Sequence, residues 1–447
     1  MRIKHALHWF RADLRVCDNT ALQAAMQQAE KLITTFIVTP NTWKRHHCSP
    51  RKIQFMLENV ERLSHELSLT NIPLIMDEQP NYEDCVNTLI RLCCEHSIDA
   101  VYFNKQYELD EARRDEIVIN ALTQLGIKCF SFDDQAIIPP GGILTPSGEP
   151  YKIFTPFKNA WLKKISQNLN YYSTLTGKNQ AFQELNNFCA LNIKHYRHDR
   201  DFPALNNTSK LSPALAIGAL SAKQCLAKVI ALTKGDIMND SKYPGELCWL
   251  SELIWRDFYK HIIFFYPDIC KHKPYKPTTD KLPWKSDPDL LTAWQQGKTG
   301  FPLVDAGMRQ LNQTGWMHNR LRMVTAMFFT KTLFLDWRLG EKYFMENLID
   351  GDFAANNGGW QWCASTGTDA APYFRIFNPI TQGERFDPDG VFIRQYCPEL
   401  SALNNKQIHD PYARGVSDHA IKYPKPIVDY KAMRQYVIEQ FKKYTTA

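Results

Sequence analysis

The residues from Asp350 to Pro379, DGDFAANNGGWQWCASTGTDAAPYFRIFNP, combine types that a packed core rarely needs together. Asp350 and Asp352 offer carboxylates. Asn356 and Asn357 can both donate and accept hydrogen bonds, which suits the edge of a heteroaromatic ring. Gly358 and Gly359 permit close approach of the backbone. Trp360 and Trp362 stand two residues apart, so in an irregular segment one can face inward and the other a cavity. A Gly-turn between helices with buried Trp is the plainer alternative, although Asn-Asn-Gly-Gly would be a costly turn to bury.

Three further groupings have types suited to binding. Thr208-Ser209-Lys210-Leu211-Ser212 places hydroxyls and backbone donors at a helix start, a favourable setting for phosphate, although a plainly capped helix looks the same. Glu252, Trp255 and Arg256 fall on one helical stretch, with Glu252 and Trp255 sharing a face by i,i+3 spacing. Asn319 and Met323 share a face of another by i,i+4 spacing, next to Arg320. Aromatic walls, a polarisable filler and a few hydrogen bonds suit a stacked pair of rings buried in protein. Taken singly, each of these residues is more readily a core residue. Trp284, Trp337 and Trp360, on residue type alone, read as packing.

Positioning such groups requires a framework, and the chain offers two kinds. Over the first 132 residues short apolar runs alternate with helical patterns, with strands expected at Ala6–Phe10, Leu32–Val38, Ile72–Met76, Ala100–Phe103 and Lys128–Phe132. Ser49 followed by Pro50 reads as a cap and first helical residue, and Ile53, Leu57, Val60, Leu63 and Leu67 continue at helical spacing. The alternation predicts a parallel sheet covered on both faces, a Rossmann-like α/β domain at residues 1–135. No GxGxxG follows the first strand, so the dinucleotide fingerprint is missing from this half. Residues 136–195 read as an irregular interdomain linker with Pro139-Pro140-Gly141-Gly142 near its start and one packed helix at Tyr151–Trp161. Beyond Tyr196 strand signals vanish. Helical patterns at Ser212-Pro213, Glu246–Phe265 and twice between Pro302 and Phe334 predict an all-α domain over residues 196–447.

A chain of 447 residues is long for one core. Its net charge of +6 permits a polyanionic partner without requiring one. The 12 Cys are scattered with no CxxC pair, which argues for reduced thiols in the cytoplasm and against a metal site or disulfide framework. Met1–His5 is basic, but no apolar signal-peptide core follows. No run nears the ~18 apolar residues of a membrane span, and no P-loop is present.

The blocks HWFRADLRVCDN, YKIFTPFKNAW, TSKLSPALAIGALS, SELIWRDFYKH and TGWMHNRLRM, with the Asp350 segment, resemble in order the DNA photolyase and cryptochrome family over nearly the whole chain. The similarity is strongest to its bacterial class I cyclobutane pyrimidine dimer branch. The resemblance implies FAD in the helical domain, with Tyr196, Thr208, Ser209, Lys210, Leu211 and Ser212 toward its phosphates. Trp249, Arg322, Asp350, Gly351, Asp352 and Asn356 also match flavin-binding positions, with Arg322 paired to Asp350 and Asn356 facing flavin N5. Lys210 stands where many relatives carry Arg, a point charge in place of a fork. Trp284, Trp337 and Trp360 match a path that carries an electron from the surface to excited flavin.

By the same resemblance, Glu252, Trp255, Arg256, Asn319, Arg320, Met323 and Trp362 surround a dimer flipped out of duplex DNA. Glu252 would hydrogen-bond or protonate it. Lys158, Arg200, Arg320 and Arg375 would hold phosphates at the rim. Glu111 and Lys271 match contacts to a 5,10-methenyltetrahydrofolate antenna, although Asp110 stands where relatives carry Asn. The expectation is a cytoplasmic, monomeric carbon-carbon lyase acting on dimer-containing DNA with reduced FAD, and needing neither a membrane nor an obligate protein partner. A cryptochrome-type blue-light receptor is the alternative; many of those carry a long C-terminal extension, and this chain stops soon after its last matching block. Repair of (6-4) photoproducts fits poorly, because that branch has His at the positions of Asn319 and Met323.

Overall fold

The computed structural model describes residues 3–417 and 419–445. Five strands, β1 (Ile3–Phe10), β2 (Ala29–Val38), β3 (Leu74–Glu78), β4 (Ala100–Asn104) and β5 (Lys128–Phe132), form one parallel sheet in the order β3-β2-β1-β4-β5. Side chains alternate across a strand, so Leu7, Trp9, Val101 and Phe103 pack with Leu89, Leu92, Val118 and Leu122. Ala6, Ala100 and Tyr102 point the other way, onto Ala21 and Ala25. Burial on both faces explains why β1 and β4 are apolar almost without interruption. All five expected strands are present; β1 and β2 begin earlier than expected and β3 later.

Strand order reverses between β1 and β4, where the carboxyl ends of such sheets usually open a ligand crevice. Here that place is filled from within. Arg11 Nη1 lies 2.7 Å from Asp115 Oδ1, and Asn104 donates to Asp13 at 2.7 Å and to Asn19 at 2.8 Å. The Arg11 guanidinium also sits 4.6 Å from the centres of both the Trp9 and Phe103 rings. All of these polar side chains are buried.

The described chain divides into two compact units. The first comprises Met1–Arg197, Ser209–Cys270 and Asp350–Ala354, and the second His198–Thr208, Lys271–Ile349 and Ala355–Ala447. Besides the sheet, the first unit holds the helices Phe154–Ser166, Gln180–Leu191 and Pro244–Phe265. The expectation that residues 136–195 are irregular apart from one helix does not hold at Gln180–Leu191. Gln180–Leu191 is helical because Phe182, Leu185, Phe188 and Cys189 make one buried stripe, and Asn179 caps it by accepting from the Phe182 amide at 3.0 Å. Gln180, Gln183 and Asn187 occupy the exposed face, while Asn186 is half-buried at its edge.

In the second unit, Pro302–Thr314, Asn319–Lys331, Trp337–Asn347 and most of Phe353–Ala364 are helical, and Trp294, Phe329, Trp337, Phe344 and Trp360 belong to its core. Its β structure among the described residues is a single isolated bridge, Lys285 to Leu335. The chain thus adopts the expected fold class, a parallel α/β portion followed by helices. Among the described residues no helix is long and apolar enough to cross a membrane.

Candidate functional site

The segment that opens the sequence argument is not irregular at its centre. Phe353–Ala364 is a helix, although each mid-helix Gly costs about 1 kcal/mol relative to Ala. Long-range bonds offset that cost. Asn357 donates to Glu341 Oε1 at 2.7 Å and accepts from Gln361 Nε2 at 2.8 Å, while Gln361 Oε1 takes the Tyr275 amide at 2.8 Å. Asn357 therefore faces the protein, which corrects the expectation that both Asn read a ring edge. Asn356 is half-buried and spends its amide nitrogen on the Glu341 carbonyl at 3.0 Å. Beside it, a Cβ built on Gly359 would meet no atom within 4 Å, so the helix is open on that side.

Two residues along a helix turn a side chain to nearly the opposite side, so Trp360 and Trp362 still diverge as expected, by a different route. Trp360 is buried against Trp294, Phe329 and Phe344, with ring centres 6.0, 5.6 and 5.0 Å away. Trp362 and Met323 are half-buried and pack against the same core. Trp337 is fully buried, with the Arg338 guanidinium 5.0 Å from its ring. Trp284 is half-buried, 4.9 Å from Phe334. The three Trp expected to carry electrons thus share one aromatic cluster of the second unit, and Trp284 is its more exposed member.

At the start of the Asn319–Lys331 helix, His318 caps by accepting from the Arg320 amide at 3.2 Å. Asn319 is exposed. Arg320 Nη2 lies 2.7 Å from Asp201 Oδ1, its guanidinium stands 4.3 Å from the Phe386 ring centre, and Arg200 approaches the same carboxylate at 3.9 Å. Arg322 Nε donates to the Met317 carbonyl at 2.8 Å. Arg375 and Lys271 are exposed.

In the first unit Trp255 lies flat on Phe154, ring centres 3.6 Å apart and 5° from parallel. One turn earlier on the same Pro244–Phe265 helix is Glu252, and Arg256 donates to the Gln135 carbonyl. Lys158 Nζ donates to Ser251 at 2.7 Å. Tyr196 and Trp249 are both buried and both pack on Phe188. Lys210 adopts a left-handed backbone conformation (φ +50°), an outlier for Lys that marks a sharp reversal before the one-turn helix Ser212–Ala216.

Asp350 is buried, and the Gly351 carbonyl accepts from Lys52. Asp352 Oδ2 lies 2.9 Å from Lys260 Nζ. Farther along this unit, His46 bridges the expected antenna acids: Nε2 is 2.9 Å from Asp110 and Nδ1 is 3.7 Å from Glu111. Burial, then the neighbouring Glu108, push the Glu111 carboxyl above its ordinary range.

Sequence reasoning missed Lys52, Lys260, Glu341 and Gln361. Lys260 left a signal, a cation on the apolar face of its helix among Phe258, His261 and Ile262. The other three left none, because their partners lie far along the chain.

Residues 6–174 match the DNA photolyase family, and residues 249–443 match the FAD binding domain of DNA photolyase. The chain is 45% identical to the deoxyribodipyrimidine photo-lyase of Escherichia coli, covering 96% of each, and 41% identical to that of Vibrio cholerae, covering 98% and 99%. A class III photolyase from Agrobacterium tumefaciens superposes with a TM-score of 0.83 at 32% identity, covering 100% of this chain and 99% of the other. A Synechocystis cryptochrome shares the fold, with a TM-score of 0.85 at 24% identity over 98% and 99%. The chain belongs to the DNA photolyase family.

FAD is accordingly its cofactor, and the residues present suit one. Lys210, with its left-handed backbone, is flanked in sequence by the hydroxyls of Thr208, Ser209 and Ser212, donor types that suit a diphosphate. Asp350 and Asp352 offer acceptors, and Asn356 a donor and an acceptor, the types that suit a flavin edge.

Proposed function

We infer that this chain repairs cyclobutane pyrimidine dimers in DNA by light-driven electron transfer. The observation that carries the reading is 45% identity to the Escherichia coli deoxyribodipyrimidine photo-lyase over 96% of the chain. When bound and reduced, FAD would supply the light-driven electron that opens both carbon–carbon bonds joining the pyrimidines, and the electron's return would leave no net redox change.

The chain's own residues bind, orient and wire. Trp255, held flat by Phe154, is a rigid wall for one face of the extruded dimer, and Trp362 with Met323 forms another. Glu252 meets a dimer carbonyl, and Arg256 and Asn319 complete its polar contacts. Lys158, Arg200, Arg320 and Arg375 hold backbone phosphates. Trp284, Trp337 and Trp360 return oxidised flavin to its working state and take no part in the repair step. Residues 1–135 serve an antenna, for which Asp110, Glu111 and Lys271 suit the aminopterin edge of 5,10-methenyltetrahydrofolate. The enzyme works as a cytoplasmic monomer.

The test is direct. Chemically reduced protein is mixed with an oligonucleotide carrying one thymine dimer and illuminated with blue light. Dimers should disappear in light and persist in darkness. Persistence in light, with flavin loaded and reduced, would sink the reading. Folate released from the denatured protein checks the antenna.

A further inference from the structure

Lys260 is a buried cation for which the repair reading has no role. It follows Arg256 by one turn and Glu252 by two on the Pro244–Phe265 helix, so all three share a side of it. Its side chain is 3% exposed, and its Nζ lies 2.6 Å from Glu108 Oε1 and 2.9 Å from Asp352 Oδ2. Burial alone would pull this ammonium down, but Asp352 and then Glu108 outweigh it and hold the group above its ordinary value. It stays charged. The same short segment is held a second time, by Lys52 on the Gly351 carbonyl. Glu108, for its part, directly precedes the helix that carries Asp110 and Glu111.

We propose that Lys260 is a positioning residue for the flavin: it fixes Asp352 as a carboxylate in one place and ties it, through Glu108, to the chain segment bearing the antenna acids. The proposal rests on the reading that Asp352 contacts FAD. Its physical content is a charge balance. Within the triad one ammonium and two carboxylates sum to minus one, with the Arg256 cation one turn away outside it, and two carboxylates sharing one nitrogen repel each other when the nitrogen goes. Reducing the flavin adds negative charge, so the balance next to it bears on how readily reduction occurs.

The experiment measures the flavin midpoint potential of the holoenzyme at fixed pH, against reference dyes. Lys260→Met makes the surroundings more negative and should move the potential downward. Glu108→Gln makes them less negative and should move it upward. Lys260→Arg, which keeps the charge and at least two donors, should restore the wild-type value. FAD should also dissociate from Lys260→Met roughly tenfold more readily, the scale of one lost charge-assisted hydrogen bond.

A structural role alone would not give shifts of opposite sign. Unchanged potentials in both neutralising variants, or shifts of the same sign, overturn the proposal. If Lys260→Met does not fold, Glu108→Gln decides by itself: an upward shift supports the proposal, and no shift or a downward one overturns it. Asp352→Asn separates the two readings. If it leaves potential and flavin spectrum untouched, the flavin assignment of Asp352 is wrong. If it alters them while the Lys260 and Glu108 variants do not, only the positioning role falls.

Discussion

The acidic segment Asp350–Asp352 and the aromatic core around Trp360 are neighbours in sequence and are held by opposite means. The first is fixed by full charges, Lys260 on Asp352 and Lys52 on the Gly351 carbonyl. Around the second, the contacts are aromatic rings and a glycine, and the Trp360 indole N–H is buried without a hydrogen-bond partner. Coulomb forces fall slowly with distance, so a small shift in the first region is tolerated while a change of charge is not. Packing forces vanish within an ångström, so the second should tolerate changes of polarity poorly and changes of shape hardly at all. One region is held by charge and the other by shape.

The sharpest way to break that contrast is Trp337→Phe. The ring is nearly isosteric, so folding and flavin content should survive, but Phe is far harder to oxidise. Durable photoreduction of oxidised FAD should be abolished, while chemically reduced variant repairs dimers like wild type. Normal photoreduction would reduce the cluster to mere packing.

Next in size is Trp255→Ala, which removes a wall stacked on Phe154. Base–aromatic stacking is worth roughly 1–3 kcal/mol, so affinity for dimer-containing DNA should fall about 5- to 150-fold, with little change for undamaged DNA. Arg320→Ala should instead weaken both and flatten the salt dependence by about one phosphate contact. Equal losses on the two DNAs for Trp255→Ala would deny it the dimer.

Gly340→Ala tests shape directly, because a Cβ there would stand 2.1 Å from the Trp360 ring. Overpacking of this kind costs about 1–3 kcal/mol, read as a lower denaturation midpoint. An unchanged midpoint would mean that the aromatic box is looser than its contacts imply.

A further test concerns charge inside the aromatic unit. Lys331 is buried, donates to the Pro372 and Arg375 carbonyls at 3.2 Å each, and is pulled down by burial from 10.5 to about 7. Its folded value lies below the unfolded one, so between them the unfolded chain binds more protons. Its contribution to stability therefore rises as pH climbs from about 7 toward 10.5 and is least below 7. Lys331→Met should lose that rise, and denaturation of both proteins across the interval measures it. Parallel curves would mean that the ammonium is not desolvated.

What the residues disclosed, and what they hid, follows the range of the forces involved. Strands and long helices were legible because β4 and Pro244–Phe265 carry their pattern locally. Gln180–Leu191 was obscured by its Asn and Gln, which mask a sound apolar stripe. The Phe353–Ala364 helix contradicts its own propensities and exists through Glu341 and Gln361, partners that local pattern cannot reveal. Trp255 and Trp360 look alike as letters; only packing separates a half-exposed wall from a buried ring. Lys260 was visible as an anomaly but not as a bridge.

The knot at the carboxyl ends of β1 and β4 has a consequence for how this sheet has been put to use. An anion arriving there would find both terminal nitrogens of Arg11 already committed, to Asp115 and to the Asn104 carbonyl, and its aromatic bed already occupied. The sheet carries its own permanent tenant. A crevice of the kind that admits ligands in other sheets of this order is here closed by the chain's own side chains, which turn an entrance into a keystone.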